Sequence, residues 1–416
     1  MKDNWKFILL LIVFMSFFRP IFVEQEGLET INMLYLRLIQ DSTVGIIAIY
    51  FFRLFTNKKR VSTFTIILLV LSFWLLFSTL ISEEGSVSAF ITMIYPVLAI
   101  SMFVEMLMDK NSKLLFSVIS TGLGIYILLN FIFRLIQPYD HTPNLFLMGS
   151  NQFFMGCRNQ QAPLYIVAVV VAVIEHQYKK TWQHRLYLCT LLAVCTFMIH
   201  NGGSGSNTIA WTVVLLLFII NFLVNDFGHK YLKFEKYRQY IAKMLDFRVY
   251  IIGYIITFIS IMFFNIQNLF ERQLHNILGK NATLSGRIYI WEAYKEMIAQ
   301  QPFLGYGIGR SMDIISFDMS YFNPHNQTLM LLIWGGFTSL FILICLFYIV
   351  GKKLIYYKEE KSMQILSIGI LGILIVLFTE TMGFLEILLL LAIAYHLPKT
   401  MDFKIQRLDR KKKQLT

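Results

Sequence analysis

The chain has 416 residues, 56% of them hydrophobic and 15% charged, with a mean hydropathy of +0.61. Soluble domains carry about 25% charged residues, so the composition excludes a water-soluble globular protein and predicts an all-α polytopic membrane protein. The formal net charge is +12, yet the basic residues gather in alternate loops between apolar stretches, which points to membrane lipids rather than nucleic acid as the partner.

A bilayer core about 30 Å thick takes roughly 20 apolar residues per helix. On that measure about twelve transmembrane helices are expected, near 5–23, 33–55, 61–82, 86–108, 114–136, 162–177, 186–200, 208–224, 249–267, 328–350, 365–379 and 384–397. Lys2 and Lys6 ahead of Phe7 to Phe18 resemble a signal peptide, but Arg19-Pro20 follows instead of a small-residue cleavage site, so the segment reads as an uncleaved first helix. Lys58-Lys59-Arg60, Lys110 with Lys113, Lys179-Lys180 with Arg185, Lys230 to Arg248, Lys352-Lys353 and Arg410 to Lys413 mark the cytoplasmic loops. Both termini are then cytoplasmic, and Glu83-Glu84, Gln137 to Gln161 and the segment 268–327 face outward. The organisation expected is 1–267 as transmembrane helices 1–9, 268–327 as one large extracytoplasmic loop, 328–397 as helices 10–12 and 398–416 as a basic tail.

Three of the four cysteines, Cys189, Cys195 and Cys345, fall in spans and only Cys157 faces outward, so no disulfide framework is expected. No spacing suggests zinc, and no cofactor is called for. The basic, aromatic segment 226–247 reads either as a helix lying on the membrane surface or as a solvated linker. Charged residues inside spans are few and near their ends: Arg37, Glu105, Arg134, Glu175, Glu380 and Glu386. Transporters place such groups near the midplane, and snorkelling of span ends accounts for Arg37 and Glu105 here.

The loop from Asn268 to Gln327 holds most of the polar motifs, and loops this long are usually functional. Ser285, a good N-cap, precedes an amphipathic helix from Gly286 to about Gln300, with Ile288, Trp291, Tyr294 and Ile298 at helical spacing. Pro302 ends it. Arg287 falls in the first turn, where free N–H groups and the helix dipole favour an anion and the guanidinium adds a fork suited to phosphate oxygens. The alternative is a surface arginine paired with Glu292 or Glu296. Gly305-Tyr306-Gly307-Ile308-Gly309-Arg310 permits a tight turn that can approach a ligand. His325, at the start of the next span, is placed as a general base whose neutral form the helix dipole favours, or as an interfacial anchor. Asn326 is a ligand contact or a cap. Glu292 and Glu296 lie one turn apart beside Lys295 and read as a solvated face. Gly156 to Gln161 adds a second cation, Arg158.

In order, Ser285-Gly286-Arg287, Trp291, Pro302-Phe303-Leu304-Gly305-Tyr306-Gly307 and His325-Asn326, leading into a span with Gly335-Gly336, resemble the signature region of the O-antigen ligase and Wzy-type polysaccharide polymerase superfamily. The likeness covers about 285–345 by motif, and the remainder only by topology. It implies a GT-C-like fold and a metal-independent, inverting glycosyl transfer at the outer face of the bacterial cytoplasmic membrane. The donor implied is an undecaprenyl-diphosphate-linked oligosaccharide, with a flippase and a chain-length regulator of the same pathway as further partners. Under the resemblance Arg287 and His325 become the catalytic pair. Arg158, Arg310, Trp291, Gly305, Gly307 and Asn326 become substrate-binding residues.

The ligase branch carries a further arginine near the turn that corresponds to Asn201 to Asn207, and this chain has none there. Arg158 or Arg310 is expected to supply that charge, and the difference favours polymerase over ligase. The competing readings are a lipid-linked glycan flippase, a metal-dependent GT-C enzyme using Glu24, Glu26 or Glu29, and a non-enzymatic scaffold.

Overall fold

A computed structural model describes residues 4–24, 27–58, 60–136, 152–157, 161–227, 243–264, 286–309, 323–381 and 384–398, with residues 237, 239, 240, 266 and 269 singly. In order these residues form α1 (Asn4–Ser16), α2 (Glu29–Asn57), α3 (Thr63–Ile81), α4 (Val87–Ile136), α5 (Gln161–His176), α6 (Trp182–Gly202), α7 (Gly205–Phe222), α8 (Phe247–Phe264), α9 (Arg287–Gln300), α10 (Gln327–Tyr356), α11 (Lys361–Leu377) and α12 (Phe384–Pro398). The one sheet among them is a hairpin of two-residue strands, β1 (Gln152–Phe153) with β2 (Gly156–Cys157). Six helices, α2, α3, α4, α7 continued to Asn225, α8 and α10, are long and apolar enough to cross a membrane, and α1, α5, α11 and α12 are shorter and apolar.

The longest helix, α4, is two helices in series. Asn111 leaves helical geometry (φ −159°, ψ 87°), and its Oδ1 accepts from the Leu114 N–H at 3.1 Å, capping the second half. The segment separating the expected spans 86–108 and 114–136 is therefore a kink and not a loop.

Two helical directions define the ends of the bundle. The start of α11 meets the end of α7, where Asn221 and Asn225 donate to Gln364 Oε1 at 2.7 and 2.9 Å. From there α11 runs to Glu380 at the other end. α10 runs the opposite way, from Asn326 beside Phe378 to Lys352 and Lys353. At the basic end Glu105 is buried and accepts from Ser62, Thr65 and Tyr50 hydroxyls at 2.7, 2.6 and 3.1 Å, with His396 Nε2 at 3.6 Å. It does not snorkel. Three hydroxyl donors replace the water that a buried carboxylate loses; they tie α2, α3 and α4 together, and His396 brings α12 to the same carboxylate.

The expected span 328–350 is broken. Gly336 adopts φ 61° and ψ −165°, a region open mainly to glycine, and splits α10 into a buried first piece up to Trp334 and a long second piece. A break frees carbonyls that an apolar surrounding cannot satisfy. Here three of them have donors: Ile333 O accepts from Tyr306 N at 2.7 Å, Trp334 O from Gly307 N and Ser78 Oγ at 3.1 and 2.8 Å, and Gly335 O from Trp74 Nε1 at 2.7 Å. The donors come from α3 and from the segment 302–309 after α9. That segment also returns Pro302 O to Phe337 N at 2.7 Å, so it is a clasp lying over the break.

Candidate functional site

The site forms where three elements end together: the start of α9, the start of α10 and the turn after α11. α9 begins at Arg287 with Gly286 in the cap position at φ 83°, and no side chain caps it. Gly286, not Ser285, therefore holds the cap; Ser285 lies outside the described residues. In this first turn Tyr289 N donates to Gly286 O at 3.2 Å, and the Arg287 guanidinium stands at the end of the helix where the dipole favours an anion.

Arg287 pairs with neither Glu292 nor Glu296. Its Nη2 donates to Glu380 Oε1 at 2.6 Å, while Glu292 takes Lys295 instead. The other Glu380 oxygen, Oε2, lies 3.2 Å from His325 Nδ1. The carboxylate side chain is 5% exposed, the guanidinium 18% and the imidazole 35%. The anion is thus sealed inside, and the imidazole remains reachable by a ligand.

The turn that carries His325 is held from several sides. His325 sits at φ 46°, in the left-handed region, which costs a residue with a Cβ about 1–2 kcal/mol. Its N–H donates to Asn323 Oδ1 at 2.8 Å, and Thr381 Oγ1 donates to the same oxygen at 2.9 Å. Asn326 is the N-cap of α10: its Oδ1 accepts from Thr328 N and Leu329 N, and its Nδ2 donates to Phe378 O at 2.9 Å. Trp291, 1% exposed, donates from Nε1 to Pro324 O at 2.7 Å and meets the Phe378 ring edge-on at 6.1 Å. Trp291 and Asn326 thereby brace the turn. Tyr294, on the same buried face of α9, has its phenol pushed up to about 12 by burial and stays neutral.

Gly305 and Gly307 lie in the clasp, away from this cluster. A Cβ at Gly305 would come within 2.5 Å of Ile333 O, and one at Gly307 within 2.6 Å of Thr79 Cα. The close approach foreseen for the glycine turn is made to the backbones of α10 and α3. Arg158 and Arg310 lie outside the described residues, as do Glu26, Cys157's side chain and most of 226–247. Of the acids weighed for a metal, Glu24 pairs with Arg19 and Glu29 accepts from Gly27 N at 2.9 Å.

Glu380 is the residue that sequence reasoning missed as a site residue, although its signal was present: an ionisable side chain at the end of an apolar stretch marks a functional site by default. Asn323 and Thr381 carried no comparable signal. A guanidinium and an imidazole held 38 positions apart in sequence by one carboxylate can bind an anion and move a proton side by side. Comparisons with protein-family models, with characterised proteins and with solved structures return no match.

Proposed function

We propose that this protein is a membrane glycosyltransferase that polymerises undecaprenyl-diphosphate-linked oligosaccharide repeat units at the outer face of the bacterial cytoplasmic membrane. The observation that carries the reading is the meeting of Arg287 and His325 at Glu380. The motif resemblance pairs the same two residues. In this reading the acceptor hydroxyl gives its proton to His325 as its oxygen attacks the anomeric carbon from the far side. The carbon–oxygen bond to the diphosphate breaks, its electron pair leaves on the phosphate oxygen, and Arg287 at the positive end of the α9 dipole stabilises that growing charge. The balance is one glycosidic bond formed, one glycosyl phosphate bond broken and one proton passed to the histidine.

Such an enzyme would cross the membrane about twelve times in a GT-C-like arrangement with both termini cytoplasmic. The two halves of α4, the four shorter apolar helices and α6 bring the six long helices to that number. A flippase would expose polar groups along several helices, whereas the long helices here bury theirs in local pairs such as Glu105 with its hydroxyls.

The test is reconstitution of the full chain in liposomes with a synthetic undecaprenyl-diphosphate repeat unit and a chelator present. Products longer than one unit, with released undecaprenyl diphosphate, are expected. Unchanged donor with folded protein would overturn the transferase reading, and transfer only to an added lipid A core would make the enzyme a ligase.

A further inference from the structure

We propose that Glu380 is the positioning residue of this site: it holds His325 in the tautomer that carries its proton on Nδ1 and leaves Nε2 bare. The inference rests on the transferase reading for its purpose but not for its geometry. A carboxylate paired with a guanidinium has no proton to give and accepts at both oxygens. One oxygen takes Arg287 Nη2 at 2.6 Å, and the other faces His325 Nδ1 at 3.2 Å, so Nδ1 is the donor. Histidine in water favours the opposite tautomer, with the proton on Nε2, which cannot accept a proton from a hydroxyl at that atom. The nitrogen that makes the hydrogen bond decides the form of the other.

The surroundings make this orientation stiff. Glu380 follows α11 by three residues, and the turn it occupies is fastened to the His325 turn on both sides, by Asn326 Nδ2 to Phe378 O and by Thr381 Oγ1 to Asn323 Oδ1. Carboxylate and imidazole therefore move as one unit. Burial of Glu380 against a 35% exposed ring leaves the orienting group inside and part of the ring open to a ligand.

Glu380→Gln distinguishes this role from packing because shape is kept and acceptor capacity is halved. Arg287 can only donate, so the amide oxygen turns to Arg287 and the amide NH₂ faces Nδ1. An NH₂ donor requires an accepting Nδ1, and the proton moves to Nε2. The expected loss in kcat is on the order of 10⁴-fold, the size found when the orienting carboxylate of a catalytic triad becomes an amide, with KM for the donor changed little.

The readout independent of turnover is ¹⁵N NMR of histidine-labelled full-length protein in lipid nanodiscs at alkaline pH, with the His325 signals identified by their loss in His325→Asn. In the wild type Nδ1 is expected to be the protonated nitrogen, and in Glu380→Gln Nε2. A wild-type ring protonated on Nε2 would overturn the proposal even if Glu380→Gln failed to fold. So would a Glu380→Gln enzyme with the flipped tautomer and turnover within about threefold of wild type, since a tautomer-dependent base loses far more. A wild type with the expected tautomer but no chain extension in liposomes would instead remove the polymerase reading and leave the positioning role standing.

Discussion

Arg287 and Glu380 are stabilising only as a pair. Removing one partner of a buried ion pair costs about 3–5 kcal/mol because the other charge stays uncompensated, and Glu380 is the more deeply buried of the two. Arg287→Ala should therefore lower both turnover and the detergent-solubilised melting temperature. Adding Glu380→Gln to it should restore much of the stability and none of the activity, and a double-mutant cycle on thermal unfolding measures that coupling. Additive losses would mean that the pair does not form in the membrane. His325 needs a different replacement, because its φ of 46° suits few residues. Asparagine tolerates the left-handed region, so His325→Asn should keep wild-type yield while turnover falls about 10²- to 10⁴-fold, the range of general-base contributions. A variant retaining a third of wild-type turnover would assign the proton transfer elsewhere.

The most constrained element is the broken helix α10 with its clasp. At Gly336 two requirements coincide: a positive φ, and space for Phe303, whose carbonyl carbon would lie 2.3 Å from an added Cβ. Gly336→Ala has to push the 302–304 backbone away or straighten the helix, and either frees carbonyls that Tyr306, Gly307 and Ser78 now satisfy. A loss of more than about 1–3 kcal/mol, the range for a single strained backbone position, is expected in thermal or denaturant unfolding. The site should weaken too, because the first piece of α10 carries Asn326 and His325 at its start. An unchanged melting temperature would show that the clasp does not hold the break.

At the scale of the whole molecule the arrangement separates a basic end from the end where α9, α10 and α11 meet. Tyr289 on α9 is 67% exposed and Tyr356 at the end of α10 is 79% exposed, and the length of α10 lies between their two ends. In a chain with its cysteines replaced, Tyr289→Cys should react with an impermeant thiol reagent from outside the cell, and Tyr356→Cys only after permeabilisation. The reverse result would invert the orientation and move the proposed chemistry to the cytoplasm. The Glu105 cluster shows why the basic end is well packed: one carboxylate gathers donors from Ser62, Thr65 and Tyr50, so its role is to join helices.

What the sequence determined by itself is what depends on local composition and order. Runs of apolar residues, charge alternation, the helix over Arg287–Gln300 and the cap at Asn326 all follow from rules that act over a few residues, and the structure bears out a helical chain with apolar helices of membrane length. Tertiary structure alone decided which partners the site residues take. Arg287 had two glutamates within ten positions and chose one 93 positions away, because burial between α9, α10 and the turn after α11 makes that contact worth more than an exposed pair. The glycine turn had the freedom to approach something closely, and the freed carbonyls of α10 decided that it would be backbone. Gly335-Gly336 stood in the sequence only as part of the motif, and the use of Gly336 as a helix break depended on donors from α3 and from 302–309 arriving together. Long-range hydrogen-bond demand of this kind leaves no periodic trace in a chain, so it appears only once the helices are packed.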